Sequence, residues 1–136
     1  MQRIMCVDIG EKRIGIAVSD LLGITAQGIE TFNRKGEDDA KYISDKAKEL
    51  GASMIIAGLP LNMNGTEGPA VEKVRLFMSE VEALGNKIAY QDERMTTISA
   101  ERTLLEADMS RKKRRQVIDK LAAVYILQSY LDSHSF

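Results

Sequence analysis

An α/β fold built on a mixed five-stranded sheet is predicted by three features of this 136-residue sequence. Apolar residues alternate with period 2 over residues 3–19, the signature of strands. A short, continuous apolar run follows near residues 53–57, suited to a strand buried on both faces, and residues 87–91 read as another short strand. Between them lie segments whose apolar residues recur at helical spacing. The predicted order is β-β-β-α-β-α-β-α-α, an antiparallel meander followed by α/β crossovers, with helices on the faces of the sheet.

Met5, Val7 and Ile9 alternate with Ile4, Cys6 and Asp8, and Gly10-Glu11-Lys12 supplies a turn. Residues 13–18 read as the second strand of a hairpin. With the turn at residues 10–13, Asp8 lies across from Gly15 and Cys6 across from Ala17. A third strand is expected near residues 24–32, with Gly28 marking a bulge or bend. From residue 38 to 50, Ala40, Ile43, Ala47 and Leu50 make one helical stripe, and Gly51 is its stop. Met54-Ile55-Ile56-Ala57 forms a buried strand ended by Gly58-Leu59-Pro60. An Asn- and Gly-rich loop then runs to Gly68, and Pro69 opens a helix whose stripe is Val71, Val74, Met78 and Val81. Gly85 closes that helix, and residues 87–91 form the last strand. Thr96 or Thr97 caps a helix to about Glu106, and a final helix covers roughly residues 113–132. No repeat, linker or low-complexity tract interrupts the chain, so a single domain over residues 1–136 is expected.

Composition narrows the function classes. At 44% hydrophobic and 29% charged residues the chain is globular and not disordered. No apolar run approaches the roughly 20 residues of a membrane span, and an acid at position 8 comes too early for a signal peptide. A single Cys6 excludes an internal disulfide framework and a Cys-rich zinc site, so a cytoplasmic location is expected. The formal charge of −1 conceals a polarised chain. Residues 1–109 carry 13 basic and 18 acidic side chains, while residues 110–136 carry 6 and 2.

Three acidic positions carry the chemistry. Asp8 interrupts an otherwise apolar strand, where a buried carboxylate needs a partner. An ion pair or an exposed strand position would satisfy it. So would a ligand site, for which small neighbours such as Gly15 leave room. Asp92-Glu93-Arg94 closes the last strand, at the sheet edge where α/β proteins hold ligands. A helix-N-terminal acid pair explains that segment equally well. Asp119 shares a helix face with Ala122 and Ala123, which let the helix approach the sheet, although a solvated helix acid is the plain alternative. Together these positions form an all-oxygen donor set suited to one or two Mg²⁺ or Mn²⁺ ions and to phosphodiester hydrolysis. The one histidine, His134, belongs to the C-terminal tail, so no Ser-His or Cys-His pair competes.

Two further segments suit phosphate. The loop from Gly58 to Pro69, including Asn62 and Gly65, joins a strand to a helix N-terminus and serves either as an anion cradle or as a connection. Arg111-Lys112-Lys113-Arg114-Arg115 immediately precedes Asp119, and Lys12 and Arg13 sit in the turn after Asp8. A solvated face accounts for such a run, whereas phosphate neutralisation accounts for its placement. With three Phe, four Tyr and no Trp, backbone shape is the expected mode of recognition.

At these residues the sequence resembles the YqgF/RuvX family over nearly its whole length. The resemblance rests on four blocks in order. They are Val7-Asp8-Ile9-Gly10 leading into residues 12–20, Gly58-Leu59-Pro60 through Gly65, Asp92-Glu93-Arg94 with Thr96-Thr97, and Ile118-Asp119-Lys120-Leu121-Ala122-Ala123 through Gln128. It implies an RNase H-like fold and assigns Asp8, Glu93 and Asp119 as a catalytic, metal-binding triad. It also implies maturation of the 5′ end of pre-16S rRNA, with structured RNA and ribosome precursors as partners. Asn64 stands where similar proteins usually carry Asp, a departure confined to the loop. Cleavage of branched DNA at four-way junctions and nucleic-acid binding without catalysis are the competing readings. ATP handling by an actin-like or sugar-kinase-like hairpin is a third, and it needs two such domains.

Overall fold

In the computed structural model, residues 2–93 and 111–134 are described, with the backbone alone for residues 111–119. Five strands form one sheet in the order β3-β2-β1-β4-β5. They are β1 (Arg3–Ile9), β2 (Arg13–Ser19), β3 (Ala26–Asn33), β4 (Ala52–Leu59) and β5 (Ile88–Asp92). β1, β2 and β3 are antiparallel, and β4 joins β1, and β5 joins β4, in parallel. The helices are α1 (Asp39–Leu50), α2 (Pro69–Ala83) and α3 (Arg111–Ser133). The helix expected from Thr96 or Thr97, and Arg94 before it, lie outside the described residues. No helix among the described residues is long and apolar enough to cross a membrane.

The hairpin has the anticipated register, with Asp8 paired to Gly15 and Cys6 to Ala17. The bulge also falls where Gly28 pointed. The β2–β3 register slips between Ile16, opposite Glu30, and Ala17, opposite Gly28. β3 begins two residues later than the apolar pattern suggests. Asp20 is the cause: its carboxylate accepts the N–H of Ile24 at 2.8 Å and the Thr25 hydroxyl at 3.2 Å. A local side-chain bond of this kind holds the backbone out of the ladder, and Ile24 is left exposed.

Alternation sorts the side chains into two layers. Met5, Val7, Ile14, Ile16, Ile55 and Ala57 pack with Ile43 of α1 and with Val74 and Met78 of α2. On the other face Cys6, Ala17 and Ile56 meet Ala122, Ala123, Ile126 and Leu127 of α3. Small residues on both sides of that second layer bring α3 close to the sheet. Lys120 makes this concrete, because a methyl added at Gly28 would stand 2.8 Å from its Cγ. Gln128 fastens the same helix to the start of β3, accepting the Ala26 N–H at 3.1 Å and donating to the Ile24 carbonyl at 2.9 Å.

Candidate active site at the carboxyl edge of the sheet

The parallel strands β1, β4 and β5 end on one edge, and the acids gather there. Asp8 occupies the α3 face of β1 by alternation with Ile4 and Cys6. It is flanked by two glycines. Gly15 is its partner on β2, and Gly58 lies one step beyond the Val7–Ala57 pair on β4. Glu93 follows directly after β5 and folds over the same gap. A methyl at Gly58 would stand 2.8 Å from Glu93 Cγ and 2.7 Å from Ile126 Cδ1. Glycine at position 58 therefore allows a close approach: the Glu93 side chain occupies the volume that any larger residue would fill.

The Cys6 thiol, fully buried beneath, registers both acids. Burial pushes its pKa well up, and the negative charges of Asp8 and Glu93 push it further. Two hard carboxylates at one edge of the sheet, both acting on the same thiol, suit a divalent ion that prefers oxygen. Among the described residues no group of three acidic, His or Cys side chains makes a metal cluster. Asp119 falls in the part of α3 described by its backbone. Position 119 precedes by three and four residues Ala122 and Ala123, which are buried against the sheet.

Other predicted residues have distinct placements. Lys12 lies in the β1–β2 turn and Arg13 opens β2, both at the acid edge. The 62–66 loop leaves the end of β4 and closes on itself. The N–H groups of Asn62 and Gly65 bond to Thr66 and Asn62 carbonyls at 3.0 and 2.8 Å, and the Thr66 N–H bonds to Asn64 Oδ1 at 3.1 Å. Those donors point inward, the geometry of a connecting loop. Arg111, Lys112, Lys113, Arg114 and Arg115 begin α3. His134 follows its last residue, stacked on Tyr130 at 3.9 Å, next to the start of β1 and away from the acids.

Residues 2–133 match a family model described as RuvX, Holliday junction resolvase. The chain belongs to the RuvX family. A Clostridium kluyveri protein is 54% identical over 135 residues and covers 96% of each chain. A Clostridioides difficile protein is 54% identical over 132 residues, covering 96% of this chain and 94% of its own. Both carry the provisional name of a pre-16S rRNA nuclease. Among solved structures, RuvC of T. thermophilus in complex with a Holliday junction superposes with a TM-score of 0.59 at 10% identity, over 96% of this chain and 94% of that one. That likeness is one of fold, the RNase H-like α/β architecture.

In this RuvX chain the Asn64 departure has a visible role. Its Oδ1 accepts both the N–H and the hydroxyl of Thr66, the latter at 2.6 Å. An aspartate oxygen accepts in the same way, so either residue suits the turn. The sequence offered Gly58 as a strand stop and as the head of an anion-cradle loop, whereas β4 runs through it to Leu59. Nothing along the chain shows that residues 93 and 126 meet above it. Arg75 was not singled out either: it forks onto Glu67 at 2.6 and 3.3 Å and lies 4.9 Å from the Tyr90 ring, joining the loop, α2 and β5.

Proposed function

We propose that this RuvX protein is a divalent-metal-dependent endonuclease of one RNase H-like domain over residues 1–136, cutting structured RNA at the 5′ end of pre-16S rRNA. The observation that carries the reading is the placement at the carboxyl edge of the sheet of Glu93, packed over Gly58, and Asp8, whose charges both act on the Cys6 thiol. These two acids, with Asp119 as the third, are the ligands for one or two Mg²⁺ or Mn²⁺ ions. A bound ion of this kind supplies Lewis acidity and an activated water for phosphodiester hydrolysis. Lys12, Arg13 and Arg94 neutralise phosphates beside the acids, and Arg111 to Arg115 extend that contact along the nucleic acid. Asn62 and Gly65 bound the same edge. The protein acts in the cytoplasm on ribosome precursors.

Asp8→Asn keeps the shape of the side chain and removes its charge. It is expected to lower Mg²⁺- or Mn²⁺-dependent cleavage of a pre-16S fragment by more than about a hundredfold, with an unchanged circular dichroism spectrum. Cleavage at the wild-type rate by that variant overturns the reading. The family description favours a second substrate, a four-way DNA junction. Parallel assays of the two substrates decide between them.

A further inference from the structure

The β1–β2 turn begins two residues after Asp8, yet it lacks the backbone that steadies such a turn. Two-residue hairpin loops favour type I′ or II′ geometry, which needs positive φ. Neither Gly10, Glu11 nor Lys12 has it. One bond closes the turn from within, the Gly10 N–H to the Arg13 carbonyl at 2.9 Å. Two other carbonyls are met from outside, both by Arg34 at the end of β3. Its Nη1 donates to the Gly10 carbonyl at 2.9 Å, and its backbone N–H donates to the Lys12 carbonyl at 2.8 Å.

Arg34 is itself fixed on two sides. Its Nε donates to Asp39 Oδ2 at 3.2 Å, and its guanidinium lies 5.1 Å from the Phe77 ring centroid. Asp39 is only 2% exposed, and its carboxylate also accepts the N–H groups of Lys35 and Gly36 at 2.8 and 3.2 Å. The planar fork serves Asp39 and Gly10 from two separate nitrogens, Nε and Nη1, a spacing that the single nitrogen of an ammonium reproduces only in part. A second tie on this turn, Glu11 to Lys73 at 3.1 Å, is exposed at both ends and weak by comparison.

We infer that Arg34 is a positioning residue for cleavage: through the Gly10 and Lys12 carbonyls it holds the turn that orients Asp8, Lys12 and Arg13. The inference rests on the reading of Asp8 as an acid of the site. Arg34 acts from the α1–α2 layer of the molecule, across the hairpin.

The test compares Arg34→Met, Arg34→Lys, Lys73→Ala and Asp8→Asn in the full chain, by steady-state cleavage and by amide exchange at Gly10. Arg34→Met is expected to lower kcat about tenfold with KM changed less than threefold, and to speed exchange at Gly10 about tenfold while β4 amides keep their protection. Arg34→Lys is expected to recover only part of both, and Lys73→Ala to leave both unchanged. If Arg34→Met does not fold, Arg34→Lys carries the same comparison. Wild-type kcat and wild-type Gly10 exchange in the Arg34 variants overturn the inference. A kcat loss that Lys73→Ala reproduces overturns it as well. Wild-type cleavage by Asp8→Asn overturns the reading of the acid instead, and Gly10 exchange still decides whether Arg34 holds the turn.

Discussion

The two faces of the sheet solve opposite problems. Toward α1 and α2 the strands present Met5, Val7, Ile14, Ile16 and Ile55, and a thick apolar layer fills the space to the helices. Toward α3 they present Cys6, Gly15, Ala17 and Gly58 beside Ile56, and the helix answers with Ala122 and Ala123 beside Ile126 and Leu127. Bulk on the first face contributes stability through burial. On the second, Gly15 and Gly58 flank Asp8 at the carboxyl edge, and Glu93 fills the space above Gly58. A layer packed to native density has no space for a charged site, so the site stands where side chains are missing.

That contrast predicts how substitutions divide between stability and activity. The largest loss of stability is expected on the thick face. Ile43→Ala removes a fully buried side chain and should cost about 2–5 kcal/mol in denaturant melts, with kcat of the folded enzyme unchanged. On the thin face Gly58→Ala should behave in the reverse sense. Its methyl conflicts with Ile126 and Glu93 at 2.7 and 2.8 Å, at a cost of about 1–3 kcal/mol. It should displace Glu93, so that cleavage falls further than stability explains. Equal ratios of activity to stability for the two variants would break the division.

Asp39 probes the thick face by pH. Burial opposes its charge, and the Lys35 N–H, the Arg34 side chain and the Gly36 N–H outweigh that, holding its pKa below the ordinary carboxylate value. Its contribution is fully present above that ordinary value and is lost as pH falls through the lowered one. Asp39→Asn should therefore be destabilised by about 2 kcal/mol at neutral pH. The deficit should shrink below about pH 4, as read by urea melts at several pH values. The smallest effect is expected for Gly28→Ala. The added methyl meets only the flexible stem of Lys120 at 2.8 Å, which can swing aside, so the change in stability should stay under about 1 kcal/mol. A large loss there would show that α3 cannot shift its side chains over β3.

Most of the fold was legible because its signals are local. Period-2 alternation sets the hairpin, and the turn position sets its register, so Asp8 opposite Gly15 followed from residues 4–18 alone. Gly28 marked a bulge for an equally local reason, since a ladder tolerates an irregular step where a side chain is missing. The start of β3 was misread because Ile24 fits the apolar pattern, while Asp20, four residues earlier, captures its N–H.

The composition of the candidate site was also readable: hard oxygen donors, a basic run beside one of them, and a family resemblance that a match over residues 2–133 bears out. Its assembly was not. Gly58 and Glu93 are 35 positions apart in the chain and come together because β4 and β5 are parallel neighbours. Arg34 reaches the Gly10 carbonyl across 24 positions because β3 returns beside β2. Residue type and short-range spacing determine which groups can bind a metal or a phosphate and which face of an element they occupy. Only the tertiary structure decides which of them meet, because that depends on strand order and on where small residues let the layers close.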